Sequence, residues 1–220
     1  MKTYDNYLFD ADGTLFETTE LIYKCFVYSL GKYANLQIPR DEIIATIGLT
    51  LRKQLEHHLG LLSDEQFDTI QADHMDYQMG IYQDHLAPCP GVPDAIKELH
   101  ATGKNLAIVT SRKIISLSCF LRETGIFDYF KVIITPDETD NHKPHPEPAL
   151  KALDLLNADP EKTVFIGDAP FDIECGHSAN IDTALVSWSH NKADNMTVKP
   201  TYIINSMLDL VPRDSAHIST

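Results

Sequence analysis

Short apolar runs that end in polar residues recur along the chain, with helix-length segments between them. Continuous apolar runs of this length are typical of parallel strands, because helices cover both faces of a parallel sheet. The pattern therefore predicts an α/β fold with a doubly wound sheet. The predicted strands are 7–9, 106–109, 132–134, 164–166, 183–186 and a weaker 202–204.

The segment from 17 to 86 has no convincing strand pattern and is far longer than the usual strand-to-helix connection of about 2–6 residues. Capping residues and a proline mark three helix starts within it. The predicted helices run from Thr18 or Thr19 to 33, over 41–46, and from Ser63 toward 85. Three prolines and a glycine within 86–93 favour a linker over a regular element. We therefore predict a core formed by 1–16 and 87–220, a helical cap formed by 17–86, and a frayed polar tail at 213–220.

Charge and cysteine usage narrow the range of partners. The 220 residues carry 18 basic and 32 acidic side chains, a net charge of −14, which repels nucleic acid and anionic membranes. The four cysteines lie far apart without a C-x-x-C pair, so neither a zinc site nor a redox motif is indicated. No signal peptide or membrane-spanning apolar stretch is found. These features predict a cytoplasmic protein that acts on a small molecule, as a monomer or a homodimer.

Two carboxylates follow the first predicted strand, in the sequence Asp10-Ala-Asp12-Gly13-Thr14. Acids this close indicate a bound cation such as Mg²⁺, which would relieve their repulsion and leave one Asp10 oxygen free to attack phosphorus. Asp12 could then donate and accept the leaving-group proton, while Gly13 lets the chain turn sharply. Alternatively, the aspartates form a turn in which they bond to their own backbone.

A second acidic pair, Asp168 and Asp172, follows the strand predicted at 164–166. Asp168 can ligate the same cation, because the carboxyl ends of parallel strands lie at one edge of the sheet. Asp172 lies one helical turn further on and is expected to orient Asp168 or a basic side chain. Asp168 could also cap the helix that begins near Pro170.

Hydroxyl groups and a lysine lie between the acidic pairs. Thr110 and Ser111 close the strand at 106–109, and Lys143 precedes a helix. Hydroxyl and backbone N–H groups there can hold phosphoryl oxygens, and Lys143 can supply the compensating positive charge. A threonine at a strand end is also a common helix cap, and a lysine beside prolines is also common in solvated loops.

Taken in chain order, these motifs resemble the four motifs of the haloacid dehalogenase-like superfamily: Asp-x-Asp-Gly-Thr, Thr, Lys-Pro and Gly-Asp-x-x-x-Asp. The resemblance covers the whole chain, because 17–86 is similar to the inserted cap of the subgroup of phosphoglycolate phosphatases, pyrophosphatases and sugar-phosphate mutases. It implies a Rossmann-like parallel core carrying an all-helical cap. The variable positions of the fourth motif are occupied by Ala169-Pro170-Phe171, which is an unusual sequence for this motif.

The resemblance also implies a role for each motif residue. Asp10 would be the nucleophile, Asp12 the general acid and base, and Thr110 and Lys143 the phosphoryl binders. Asp10, the Asp12 main-chain carbonyl and Asp168 would hold Mg²⁺. The founding dehalogenases lack an acid at the position of Asp12, so dehalogenation is disfavoured.

The predicted activity is Mg²⁺-dependent hydrolysis of a small phosphomonoester of the phosphoglycolate type, through an aspartyl-phosphate. Within 48–54, Thr50, Arg52 and Lys53 are the candidate cap contacts to substrate, although this segment could equally be a solvated helix start. The alternatives are an inorganic pyrophosphatase, then a sugar-phosphate mutase, which is disfavoured because the usual Ser-Arg pair is absent here. The least favoured is a non-catalytic regulator that binds a phosphorylated metabolite.

Overall fold

A computed structural model of the chain describes residues 1–212 and contains eight strands in two sheets. The predicted tail at 213–220 lies outside the described residues. In chain order the strands are β1 (Asn6–Phe9), β2 (Phe16–Glu17), β3 (Ala87–Pro88), β4 (Asn105–Val109), β5 (Val132–Ile134), β6 (Thr163–Gly167), β7 (Asp182–Val186) and β8 (Tyr202–Ile204). Six of them form a parallel sheet in the order β5-β4-β1-β6-β7-β8. The predicted α/β fold and its six core strands are confirmed.

Helices cover both faces of the six-stranded sheet, which explains why its strands are apolar throughout. The core helices are α5 (Val92–Ala101), α6 (Ile114–Glu123), α7 (Glu147–Leu156) and α8 (Pro170–Ser178). Alternation along β1 sends Phe9 into one buried cluster with Leu99 and Phe120, whereas Leu8 enters a second cluster with Ala152. The two clusters lie on opposite faces of the sheet and form the core on either side of β1.

The segment between β2 and β3 contains four helices: α1 (Thr19–Ala34), α2 (Arg40–Ile44), α3 (Leu51–Leu59) and α4 (Asp64–Ile81). They surround a separate apolar cluster that includes Phe26, Leu55 and Ile70. The capping box of Ser63 and Gln66 forms at the start of α4. The helix ends at Ile81, earlier than predicted, because the chain tightens into a 3₁₀ turn over Tyr82–Asp84. The helix α3 is additional to the three predicted helices, and it begins within 48–54, the segment for which a helix start was the alternative interpretation.

The chain leaves and returns to the core through the antiparallel pair β2–β3, where Phe16 is opposite Pro88. The prediction of a linker without regular structure at 86–93 was therefore wrong at both of its ends. Ala87 and Pro88 pair with β2, and α5 begins at Val92, where a proline in the first turn needs no backbone N–H partner.

The predicted capping role of Thr18 was also wrong. Thr18 precedes α1, but its side chain caps no N–H group of that helix. Its hydroxyl instead donates to Asp12 Oδ1 at 2.5 Å. Within 1–212, none of the helices has the length and apolar character that crossing a membrane requires.

Candidate active site

The predicted site residues meet at the carboxyl edge of the sheet. Asp10 follows β1, Thr110 follows β4, and Asp168 follows β6, so the three lie on neighbouring strands. Lys143 reaches them from the loop before α7. This edge is where open parallel sheets bind their ligands, because the connections on either side of the central strand diverge there.

A buried ion-pair network forms the centre of the site. Lys143 Nζ lies 2.7 Å from Asp10 Oδ1 and 2.6 Å from Asp172 Oδ1. Burial alone would lower the pKa of Lys143, but the two carboxylates beside it raise the pKa above its usual value. Lys143 is therefore a fixed cation, and it brings residues of three of the four motifs into direct contact.

The carboxylates outnumber this cation. Oxygens of Asp10, Asp168 and Asp172 lie within 4.8 Å of one another, and all three residues are buried. Burial, with a further contribution from the neighbouring carboxylates, raises the pKa of Asp10 to about 7. The same causes raise the pKa of Asp168 well above its usual value. Fully ionised, the cluster would need more positive charge than Lys143 provides.

Asp168 has the features of a cation ligand. Its Oδ1 is buried and has no hydrogen-bond partner within residues 1–212. Gly13, with φ of +72°, packs so closely that a Cβ there would lie 2.4 Å from Asp168 Oδ2. Carboxylate oxygens are the ligands that Mg²⁺ prefers, so the orphaned oxygen and the excess negative charge fit a divalent cation.

Unlike Asp168, Asp172 accepts hydrogen bonds at both of its carboxylate oxygens. Its Oδ1 accepts from Lys143, and its Oδ2 accepts the backbone N–H groups of Asp168 and Ala169 at 3.1 and 3.0 Å. These bonds fix the loop that presents Asp168. Because both of its oxygens are occupied, Asp172 orients Lys143 and the loop, and Asp10 and Asp168 are the carboxylates best placed for a cation.

Asp12 forms a second charged group beside the first. The Arg112 guanidinium binds both of its oxygens, with Nε 2.8 Å from Oδ2 and Nη2 2.6 Å from Oδ1. Thr18 donates to the same carboxylate from the start of the cap. Asp12 is therefore held between a core residue and the segment that leads into α1. The sequence reasoning gave no role to Arg112.

The two predicted hydroxyls have different surroundings. Thr110 lines the cavity above Asp10, and its Oγ1 accepts the backbone N–H of Arg112 at 3.1 Å. Ser111 also borders the cavity, but its hydroxyl donates to the carbonyl of Gly48 in the cap at 2.7 Å. Ser111 thus joins the core to the cap.

The cap contacts two of the unusual residues in the fourth motif, Ala169 and Phe171. Gly48 has φ of +103°, and a Cβ at this position would lie 2.9 Å from the ring of Phe171 and 3.2 Å from Ala169 Cβ. The glycine is required because both its backbone conformation and this close approach exclude a side chain. Ala169 and Phe171 therefore form the surface on which the cap loop rests.

A cavity of about 220 Å³ lies between cap and core, with Asp10, Asp12 and Thr110 in its wall. Thr50 and Arg52 also border it, whereas Lys53 borders a separate open groove with His142 and Pro144. The remaining cap side is largely apolar, from Ile22, Phe26, Ile47, Leu49, Leu51, Phe67 and Met75. The volume suits a small ligand, since drug-sized ligands occupy about 300–1,000 Å³.

Residues after β7 support the site: the sequence predicted a structural role for Trp188 near its rim, but gave none to Ser189 or Asn191. Trp188 Nε1 donates to the carbonyl of Gly13 at 2.9 Å. Ser189 Oγ and Asn191 Nδ2 both donate to the carbonyl of Asp168, at 2.5 and 3.1 Å. Their position shortly after the strand predicted at 183–186 was the available signal, because Asp10, Thr110 and Asp168 also follow predicted strands.

The family model of haloacid dehalogenase-like hydrolases matches residues 7–186, which includes every motif described above. The chain belongs to this family. It is therefore a haloacid dehalogenase-like hydrolase, as the motif order indicated.

Two similar proteins carry the name pyrophosphatase PpaX. The one from Anoxybacillus flavithermus is 34% identical over 205 residues, which cover 93% of this chain and 94% of the relative. The one from Bacillus cereus is 31% identical over 206 residues, with the same shares covered.

Solved structures show the same fold for nearly the full length of this hydrolase. A candidate haloacid dehalogenase-like hydrolase from Bacteroides fragilis superposes with a TM-score of 0.86 at 27% identity, covering 95% of this chain and 100% of that one. A candidate phosphoglycolate phosphatase from Lactobacillus plantarum superposes with a TM-score of 0.82 at 27% identity, covering 95% and 98%.

Proposed function

We propose that the protein is a Mg²⁺-dependent phosphatase that hydrolyses a small phosphomonoester of the phosphoglycolate type through an aspartyl-phosphate. The observation that carries the proposal is the buried contact of Lys143 with Asp10, which lies in the wall of a small cavity. Beside it, Asp168 Oδ1 has no hydrogen-bond partner among the residues that the structure describes. A nucleophilic carboxylate held by a fixed cation, next to a place for a second cation, suits attack on an anionic phosphoryl group.

Each reacting residue has a distinct task in the proposed mechanism. One Asp10 oxygen attacks phosphorus, and the bond from phosphorus to the leaving oxygen breaks as Asp12 donates a proton to that oxygen. Asp12, now ionised, then takes a proton from water, whose oxygen attacks the aspartyl-phosphate and releases inorganic phosphate. Lys143 holds phosphoryl oxygens throughout, and Thr110 is positioned to do the same from the neighbouring strand.

The cation site would use Asp10, Asp168 and the main-chain carbonyl of Asp12. When bound, Mg²⁺ would neutralise the excess carboxylate charge and the charge of the phosphoryl group. Asp172 would keep Lys143 and the Asp168 loop in place through its three hydrogen bonds.

The cavity favours a phosphomonoester over pyrophosphate. Pyrophosphate leaves as a phosphate ion and therefore needs cationic partners beyond the reacting centre. The cations in the cavity wall are already paired: Arg52 with Glu56 and Asp64, Lys113 with Asp137, and Arg112 with Asp12. An organic leaving group matches the apolar cap side better.

Pyrophosphate is the second candidate substrate, and the names of the two relatives favour it. A sugar-phosphate mutase and a non-catalytic regulator follow, in that order. The cytoplasmic location and the monomeric or homodimeric state belong to the same proposal and rest on the sequence arguments above.

Phosphate release with a panel of phosphoglycolate, pyrophosphate, hexose phosphates and nucleotides, with and without Mg²⁺, tests this proposal. Wild type is expected to prefer phosphoglycolate or another small monoester to pyrophosphate, and to lose turnover without Mg²⁺. Asp10→Asn should be inactive, whereas the same change at exposed Asp154 should leave the rate unchanged. Near-normal turnover by Asp10→Asn would exclude the mechanism. A preference for pyrophosphate would replace the first candidate with the second.

A further inference from the structure

A buried arginine joins the proposed acid and base to the cap. Arg112 is 8% exposed, and its Nε and Nη2 bind the Asp12 carboxylate. Its remaining nitrogen, Nη1, donates to Gln78 Oε1 at 2.8 Å and to Ser116 Oγ at 3.2 Å. The guanidinium carbon also lies 4.6 Å from the ring centre of Phe120. All three nitrogens of the guanidinium therefore donate hydrogen bonds.

The contact with Gln78 crosses between the two parts of the molecule. Gln78 lies near the end of α4 in the cap and is 4% exposed, whereas Arg112 follows β4 in the core. A guanidinium presents its donors in a rigid planar fork, so a shift of one partner moves the others. A displacement of α4 would therefore reach Asp12 through a single side chain.

A second contact from the cap reaches the same carboxylate. Thr18, immediately before α1, donates to Asp12 Oδ1. Because α1 and α4 pack along each other, both long helices of the cap reach Asp12, one through Thr18 and one through Arg112. Two of the groups that fix Asp12 therefore belong to the cap segment: Thr18 directly, and Gln78 through Arg112.

We propose that Arg112 is a positioning residue that couples the seating of the cap to the orientation of Asp12, and that Gln78 is the cap residue through which it does so. The inference rests on the proposed role of Asp12 in proton transfer. With the cap seated, Gln78 and Ser116 together fix the Arg112 fork, which directs the Asp12 carboxylate; with α4 displaced, only Ser116 remains and the carboxylate is held less firmly. The ionised carboxylate that this fork holds is the form that takes a proton from water in the second step, so that step is expected to depend on the seating of the cap.

A double-mutant cycle on kcat tests the coupling. Gln78→Leu removes the acceptor, and we expect kcat to fall about tenfold with KM within about twofold, because partners within one hydrogen-bond network are coupled. In an Arg112→Met background, Gln78→Leu should change kcat by less than about twofold, because the side-chain contact that links Gln78 to Asp12 is gone. An equal fall in both backgrounds would show that Gln78 acts independently and would overturn the proposal.

Two further variants separate positioning from general damage to the cap. Gln78→Glu keeps an acceptor for Arg112 and should retain most of kcat, whereas Gln78→Leu should not. Ile70→Val, also buried on α4 but outside the cavity, removes one methylene group from the cap core and should leave kcat unchanged. Equal kcat for Gln78→Glu and Gln78→Leu would overturn the proposal, and this comparison decides the matter if Arg112→Met does not fold.

The outcomes also distinguish this inference from the proposed function. If wild type turns over no phosphorylated compound, the proposed function fails. If wild type is active and the cycle is additive, the function stands and only the coupling through Arg112 fails.

Discussion

His74 should make the protein less stable in acid, because the folded state keeps its imidazole neutral. The residue lies on α4, is 3% exposed, packs against Phe26, and has Nδ1 at 3.0 Å from Ser29 Oγ. Burial, reinforced by the nearby charge of Arg112, lowers the pKa of His74 to about 4. In the unfolded chain the group titrates near its usual value of about 6.5. Between these values only the unfolded state binds the proton, so stability is lost as the pH falls from 6.5 toward 4.

The size of the effect follows from the gap between the two pKa values. A pH of about 5 lies roughly 1.5 units below the pKa of His74 in the unfolded chain. At about 1.4 kcal/mol per unit, the free energy of unfolding is therefore about 2 kcal/mol lower at this pH. We expect urea unfolding of wild type to show this loss between pH 7.5 and pH 5 relative to His74→Gln, which does not titrate. Other groups titrate in both proteins and cancel in the difference.

The matched control is His100→Gln, since His100 is exposed on α5 and the change there should leave the pH dependence of wild type intact. Parallel stability curves for wild type and His74→Gln between pH 7.5 and pH 5 would refute the assignment of a neutral buried imidazole.

Three other predictions concern the carboxylate cluster. Lys143→Met leaves Asp10 and Asp172 buried without their cation, so it should reduce the free energy of unfolding by about 3–5 kcal/mol in metal-free buffer; a loss below about 1 kcal/mol in denaturant titrations would contradict the burial of the pair. Gly13→Ala brings a Cβ to 2.4 Å from Asp168, so it should weaken Mg²⁺ binding at least about tenfold by calorimetry, and unchanged affinity would exclude Asp168 as a ligand. Because the metal-free pKa of Asp10 is about 7, stability from its protonated form is lost as the pH rises through 7. The increase in Tm with Mg²⁺ should therefore be larger at about pH 8 than at about pH 5.5, and the opposite trend would count against a cation at this carboxylate.

The strands and the motif residues at their ends could be predicted because they depend on local pattern. Strands such as β6 are apolar along their length, and Asp168 follows β6 directly, so chain position alone places Asp168 at the ligand edge. Lys143 could be predicted as well, since its lysine type and its place between the acidic pairs suit a phosphate site, although its contact with Asp10 spans 133 positions.

Other features depend on contacts that no local pattern reports. Arg112 binds Asp12 across 100 positions and Gln78 across 34, and neither spacing leaves a periodic signal. Thr18 has the residue type of a helix cap, but its hydroxyl donates to the nearby Asp12 carboxylate, and a hydrogen bond to a charged acceptor is stronger than one between neutral groups. Ser111 likewise has the residue type of a phosphate binder, yet its hydroxyl is bound by a cap carbonyl that lies 63 positions away in sequence.

The central claim is that Asp10 accepts the phosphoryl group, and trapping that intermediate tests it most directly. Wild type would be mixed with a substrate identified by the phosphate-release panel, quenched in acid within the first turnover, digested and analysed by mass spectrometry. The account predicts a single phosphoryl group on the peptide that contains Asp10, absent when Mg²⁺ is withheld and absent in Asp10→Asn. A phosphoryl group on another residue, or substrate turnover in the first cycle without any phosphorylated Asp10, would contradict it.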